Sequence, residues 1–232
     1  MELGGTASES ATMSIDEAIR RRRSVRGFLP TEVAPEILRA VFELAQWAPS
    51  NCNVQPWAAH VVSGEALRRL RESLVGAARR GEPPRPDWPM DGKYQGVYRE
   101  RQIDAAVQLY GAIGVARGDV AGRMRAFLRN YEFFDAPHVA FLFLPAPFDA
   151  REAADLGIYA QTLMLAMTAR GIASCPQGAL GLYPDLVRAQ LGVPANQRLM
   201  FGVSFGYEDP GDKANDARVG RAALADAVRF HR

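Results

Sequence analysis

The chain has 232 residues, 48% of them hydrophobic, and its 28 basic and 26 acidic residues leave a formal net charge of +2. That is enough apolar matter for one large domain with a full core, which excludes global disorder, and the near-balance of charge argues against a dedicated nucleic-acid binder. Two cysteines, Cys52 and Cys175, and three histidines, His60, His138 and His231, make no CxxC pair and no metal-ligand spacing, so a disulfide scaffold or a zinc site is not expected.

Residues 1–13 are small and polar, lack the apolar stretch of a signal peptide, and read as a flexible leader before one domain over 14–232. The longest apolar run, HVAFLFLPAPF, is too short and too broken by proline to span a bilayer, so a cytoplasmic protein without a membrane partner is expected. SIDEAIRRRR opens a helix, with Ser14 as N-cap and Glu17 at the capping-box spacing; Gly27 and Pro30 stop it. APEILRAVFELAQWA sets Ile37, Leu38, Val41, Leu44 and Ala45 at helical spacing behind Pro35. PSNCNVQP reads as a loop, WAAHVVS as a strand, and 65 to about 80 as a helix. The stretch 81–94, rich in Pro and Gly, is an irregular excursion, and helical pieces follow at 98–116 and 120–130. HVAFLFL is a buried strand; AADLGIYAQTLMLAMTARG is apolar nearly all round, which makes it the central buried helix, ended by Gly171. GIASCPQGA is turn-rich, PDLVRAQLGV a short helix and QRLMFGVSFGY a strand, while 208–232 reads as a polar arm. Few strands separated by helices imply a sheet covered by helices, α+β or α/β. No GxGxxG follows a strand and there is no Walker A sequence.

Two stretches could carry chemistry. RRRRSVRGF packs five arginines into positions 20–26. Consecutive helical residues point about 100° apart, so Arg20 to Arg23 cannot all reach one ligand. Arg22, Ser24 and Arg26 alternate in an extended segment, share a face, and would suit a phosphate; the competing reading is a helix C-terminus decorated with positive charge. APSNCNVQPW sets Ser50, Asn51, Asn53 and Gln55 between prolines, either as plain turn formers or as a rigid polar patch for a flat heterocycle or polyol. Tyr94, Tyr98, Tyr110, Phe127, Tyr131, Phe133 and Phe134 are either pocket walls or ordinary packing, and His60 and His138 read as satisfied structural residues.

These two stretches, in this order and about 25 residues apart, resemble the FMN-dependent nitroreductase family, and the likeness continues through DLGIYAQTLMLAMTARGIASCPQGAL and GYEDPGDKANDARVGR. It is weakest over 81–132, where the resemblance places a variable substrate lid. It implies an α+β fold with a central mixed, largely antiparallel sheet sandwiched by helices, in an intertwined homodimer whose C-terminal arm embraces the partner. Arg22 and Ser24 match positions that bind the flavin phosphate and ribityl chain. Arg23 belongs to the same binding stretch, although its guanidinium, like those of Arg20 and Arg21, is expected to be solvated or paired with surface carboxylates. Arg26 matches a cation at the pyrimidine edge of the flavin. Pro49, Ser50, Asn51, Asn53 and Gln55 match the loop that approaches the flavin, partly from the other subunit. Pro176, Gln177 and Gly178 match a segment over the central ring that offers a backbone N–H, and Arg218 matches a late phosphate ligand.

The activity implied is FMN-dependent, NAD(P)H-driven reduction of nitroaromatic or quinone acceptors in ping-pong fashion, with no catalytic side chain beyond electrostatic support from Arg26 and no metal. Reductive dehalogenation and flavin fragmentation are alternatives on the same scaffold. Outside that class stands a basic-patch module for RNA or acidic peptides at 20–26, which the balanced net charge disfavours.

Overall fold

The computed structural model describes residues 13–90 and 92–232, so the leader expected over 1–13 lies, but for Met13, outside the described residues. Ser14 accepts the Glu17 N–H and starts α1 (Ile15–Arg21). The helix ends well before Gly27. At Arg22 the chain turns extended, Ser24 forms a parallel bridge with Ser174, and the buried Val25 donates its N–H to the Ser174 carbonyl at 3.1 Å. Pairing with a sheet edge thus outcompetes helix propensity, and the arginine run is split between a helix end and a strand-like segment.

After α2 (Pro35–Ala45) come β1 (Ala58–Ser63), α3 (Gly64–Arg79), α4 (Gly96–Ala112), α5 (Val120–Leu128) and β2 (His138–Pro145). Then follow α6 (Ala150–Thr168), β3 (Ala173–Gln177), α7 (Pro184–Leu191), β4 (Gln197–Gly206) and the single turn α8 (Leu224–Ala227). The four strands form one antiparallel sheet in the order β1-β2-β4-β3, with Val61 opposite Ala140 and Ala140 opposite Val203. The Ser24–Ser174 bridge is the parallel contribution at the β3 edge. Alternate side chains of β2 serve two cores, as a strand covered on both faces requires. Ala140, Leu142 and Leu144 pack with α2 and α6, whereas Val139, Phe141 and Phe143 pack with α3 and α7.

Two expectations change and one gains detail. Residues 173–177 are a strand, not a turn-rich loop: β3 is the edge strand, where Pro176 can sit without costing a ladder hydrogen bond. α6 is not buried all round, since Ala154, Gly157, Ile158 and Gln161 form an exposed strip. The 81–94 excursion is irregular but pinned. Asp87 takes a forked ion pair from Arg188 at 2.5 and 3.1 Å and accepts the Leu199 N–H at 2.7 Å, while Arg198 lies over the Trp88 ring at 4.0 Å.

Candidate functional site

The arginine segment and the start of the tail meet on the β3 edge. Phe28 bridges Glu208 in antiparallel fashion, Leu29 N–H reaches the Tyr207 carbonyl at 2.9 Å, and Asp209 N–H reaches the Gly27 carbonyl at 3.0 Å. Gly27 permits this approach, because a Cβ there would overlap Asp212. Asp212 in turn is held by Arg129 at 2.9 Å, and Arg129 also donates to the Arg26 carbonyl at 3.2 Å. Arg20, Arg21 and Arg23 pair with Asp16, Glu17 and Glu208, as expected of solvated or neutralised cations. Arg22, Arg26 and Arg218 have no carboxylate within ion-pair distance among the described residues.

These cations share a neighbourhood. Burial pushes the Cys175 thiol up to about 11, while Arg26, the Ser24 hydroxyl and Arg22 pull the other way, and Ser24 itself bridges Ser174 next to that thiol. Arg218 and Arg23 both donate to the Asn215 carbonyl, the latter at 3.1 Å. Burial lowers the Arg22 pKa, and the nearby Arg221 lowers it further. Arg22 and Arg26 are half-buried and Arg218 and Arg221 exposed, and cations gathered without a carboxylate make a socket open to an anion. The buried Ser174 hydroxyl, on the strand that pairs with Ser24, has no hydrogen-bond partner among the described residues.

The amide loop is built differently. Asn51, Cys52, Asn53, Val54 and Gln55 are all exposed, with Cys52, Asn53 and Gln55 at φ of 48°, 57° and 46°. Asn tolerates the left-handed region; Cys and Gln do so at a cost of order 1 kcal/mol or more each. Their support comes from below. The buried carboxylate of Asp155 on α6 accepts the Asn51 N–H at 3.1 Å, the Ser50 hydroxyl accepts the Gln55 N–H at 2.9 Å, and Trp57 stacks on Tyr159 at 4.9 Å. Pro49 is exposed at the loop entrance. Among the described residues, no hydrogen bond or ion pair joins this loop to the arginine socket within one chain.

At the end of β3, the Gln177 side chain is consumed internally: it donates to the Asn130 carbonyl at 3.0 Å and accepts from the Ser204 hydroxyl. Pro176 is half-buried and Gly178 exposed, so the Gly178 backbone is open to a ligand. Met90, carried by the pinned excursion, reaches over Gly178; a Cβ on that glycine would lie 3.3 Å from the Met90 methyl.

A sequence profile described as the nitroreductase family matches residues 19–207, spanning the arginine segment, the amide loop and all four strands. The chain belongs to the nitroreductase family. Nitroreductase NfnB of Mycolicibacterium smegmatis is 50% identical over 218 residues, covering 94% of this chain and 92% of that protein. A 4-nitrobenzoate reductase of Pseudomonas putida is 32% identical over 219 residues, covering 94% of this chain and 96% of its own length. The crystal structure of the FMN-dependent nitroreductase NfnB from Mycobacterium smegmatis in complex with NADPH matches with a TM-score of 0.90, over 94% of this chain and 97% of the other.

Within this nitroreductase, three features escaped the sequence reading. Arg221 joins the socket beside Arg22, Asp155 anchors the amide loop, and Asn215 ties the two ends of the chain together. The aromatic set divides. Tyr131, Phe133 and Phe134 are core residues, Tyr110 is half-buried, and Tyr94, Tyr98 and Phe127 are exposed. A cavity of about 500 Å³ opens beside Arg26, walled by Leu109 of α4 and Ile113 just after it, Arg125 of α5, Arg129 and Phe134. No helix among the described residues is long and apolar enough to cross a membrane.

Proposed function

We propose that this chain is an FMN enzyme that uses a reduced nicotinamide nucleotide to reduce nitroaromatic or quinone-type acceptors. The observation that carries the reading is the group of carboxylate-free arginines on the β3 edge, which fits a phosphate-bearing, electron-rich cofactor; the matched NfnB structure is that of an FMN-dependent enzyme in complex with NADPH. FMN, when bound, supplies hydride acceptance from the nicotinamide and electron delivery to the acceptor. Arg22, Arg218 and Ser24 would hold the phosphate and sugar chain, with Arg23 ordering the segment through Glu208. Arg26 would face the ring and stabilise the negative charge that reduction places on it, an effect strengthened where water is excluded. The Gly178 backbone, with Pro176 and Gln177 behind it, would approach the ring. Cys175 remains a protonated thiol at neutral pH.

The exposed amide loop supports a homodimeric reading. Trp47, at the root of the loop, is 86% exposed, with Leu44, Val54 and Ile158 also exposed and the whole tail from Arg218 onward uncovered. A second copy would cover this apolar surface and bring Pro49, Ser50, Asn51, Asn53 and Gln55 to the partner's flavin. The cavity beside Arg26 would admit the acceptor, with 81–132 as its lid.

A visible absorption spectrum of the purified protein, with FMN and riboflavin titrations, tests the reading. A yellow protein that prefers FMN to riboflavin, and loses that preference in Arg218→Ala, is expected. A colourless protein that binds both equally would overturn it.

A further inference from the structure

We infer that Asn215 is a positioning residue that holds the two halves of the arginine socket in register for a phosphate. The halves lie at opposite ends of the chain, and Asn215 is the buried side chain that hydrogen-bonds the backbone of both. It is 3% exposed and hydrogen-bonded at both ends of its amide. Oδ1 accepts the Arg26 N–H at 2.7 Å, while Nδ2 donates to the Gly27 carbonyl at 2.9 Å and to the Asp209 carbonyl at 2.9 Å. Its own carbonyl receives Arg23 and Arg218. One residue therefore sets the backbone at Arg26 and the place from which Arg218 reaches.

The chemistry demands an amide. A carboxylate offers no donor, and an aliphatic side chain would strand buried backbone groups. From Arg218 onward the chain is exposed, so Asn215 is the last buried anchor before the cation it presents. Asn215 is not itself a phosphate ligand here: its polar atoms are already engaged. Its contribution is preorganisation, which spares a bound anion the cost of ordering Arg22, Arg26 and Arg218.

The inference rests on the proposed phosphate socket, and its test separates the two. Asn215→Ala and Asn215→Asp are made in the full chain, and FMN and riboflavin affinities are measured by fluorescence quenching. The thermal shift induced by inorganic phosphate is measured alongside. FMN affinity should fall by about tenfold or more, riboflavin affinity by less than about twofold, and the phosphate-induced shift should vanish. The aspartate variant matches the parent in shape and keeps the acceptor but loses both donors, so it reports on the amide even if the alanine variant fails to fold. A folded variant that keeps the parent's FMN-to-riboflavin ratio overturns the inference, as does an equal loss of both flavins, which would mark a merely structural role. If the parent bound no flavin but its phosphate-induced shift vanished in the variants, the FMN reading would fall and Asn215 would keep its role.

Discussion

The arginine socket and the amide loop were expected to serve one ligand, yet a single chain finishes only the first. The socket is closed by the chain's own ends: Asn215 hydrogen-bonds the backbone of Arg26 and Gly27, and Glu208 neutralises Arg23. The loop is strained at Cys52 and Gln55, exposed along its length, and rooted beside the bare indole of Trp47. Strain of that kind persists only where the surroundings over-determine it. Asp155 and Ser50 supply part of that support from below, and a second copy would supply the rest from above. A charged site can thus be assembled by hydrogen bonds within one chain, whereas the strained, uncovered loop is where the proposed second copy would act.

Two substitutions separate the regions most sharply. Trp47→Glu should have the largest effect. It would bury an unpaired carboxylate against the partner, a cost of several kcal/mol, and yield a monomer in size-exclusion chromatography that loses flavin although its socket is untouched. Retention of the dimer would show that this surface is not the seam. Arg26→Ala should leave the proposed dimer intact and slow hydride transfer by roughly 10²–10³-fold, the usual consequence of removing one preorganised charge from the reacting centre. Stopped-flow reduction by NADPH reads this directly, and an unchanged rate removes Arg26 from the mechanism.

Much of the socket was legible because its signals are local. Ser14 caps α1 at the spacing read from the sequence, and the segment carrying Arg22, Ser24 and Arg26 is extended, with Ser24 bridged to Ser174. The misreadings have physical causes. Pro176 looked like a turn signal because a sequence does not show which strand lies at the sheet edge. The exposed strip of α6 was hidden by its own apolar character, since Ala154, Gly157 and Ile158 on it are as apolar as the buried face. Asn215 could not be found by pattern at all: its Gly27 partner is 188 positions away, and an asparagine in NDAR reads as an ordinary turn residue.

A third substitution tests the loop's support from below. Asp155→Ala leaves the Asn51 N–H without its acceptor and should destabilise the protein by about 1–3 kcal/mol in urea unfolding. Flavin release should accelerate with it, whereas FMN-over-riboflavin preference, a property of the socket, should hold. Loss of that preference would mean the two regions are coupled within one chain.

The smallest expected effect is one of pH, and it falls on the loop side alone. His138 is buried, its Nε2 accepts the Val33 N–H at 2.9 Å, and the Ser63 hydroxyl lies 2.5 Å from Nδ1. An acceptor at Nε2 requires the neutral ring with its proton on Nδ1, so protonation must break the bond to Val33, just ahead of α2, which leads into the amide loop. Burial holds the His138 pKa below its ordinary 6.5, against a smaller upward pull from Glu32. With the folded value below the unfolded one, the unfolded chain binds more protons between them. The contribution is therefore whole above about pH 6.5 and lost as the pH falls toward the lowered value, with a slope of at most about 1.4 kcal/mol per pH unit. His60, whose pKa burial also lowers, adds in the same direction. His138→Gln should flatten most of that slope in urea titrations between pH 7 and 5. In the parent, hydrogen exchange should loosen first at α2 and the amide loop, while the amides of residues 24–28, clasped by Asn215 and Asp209, stay protected. Loosening at both places together would make the socket and the loop one cooperative unit, contrary to the division drawn from their hydrogen bonds.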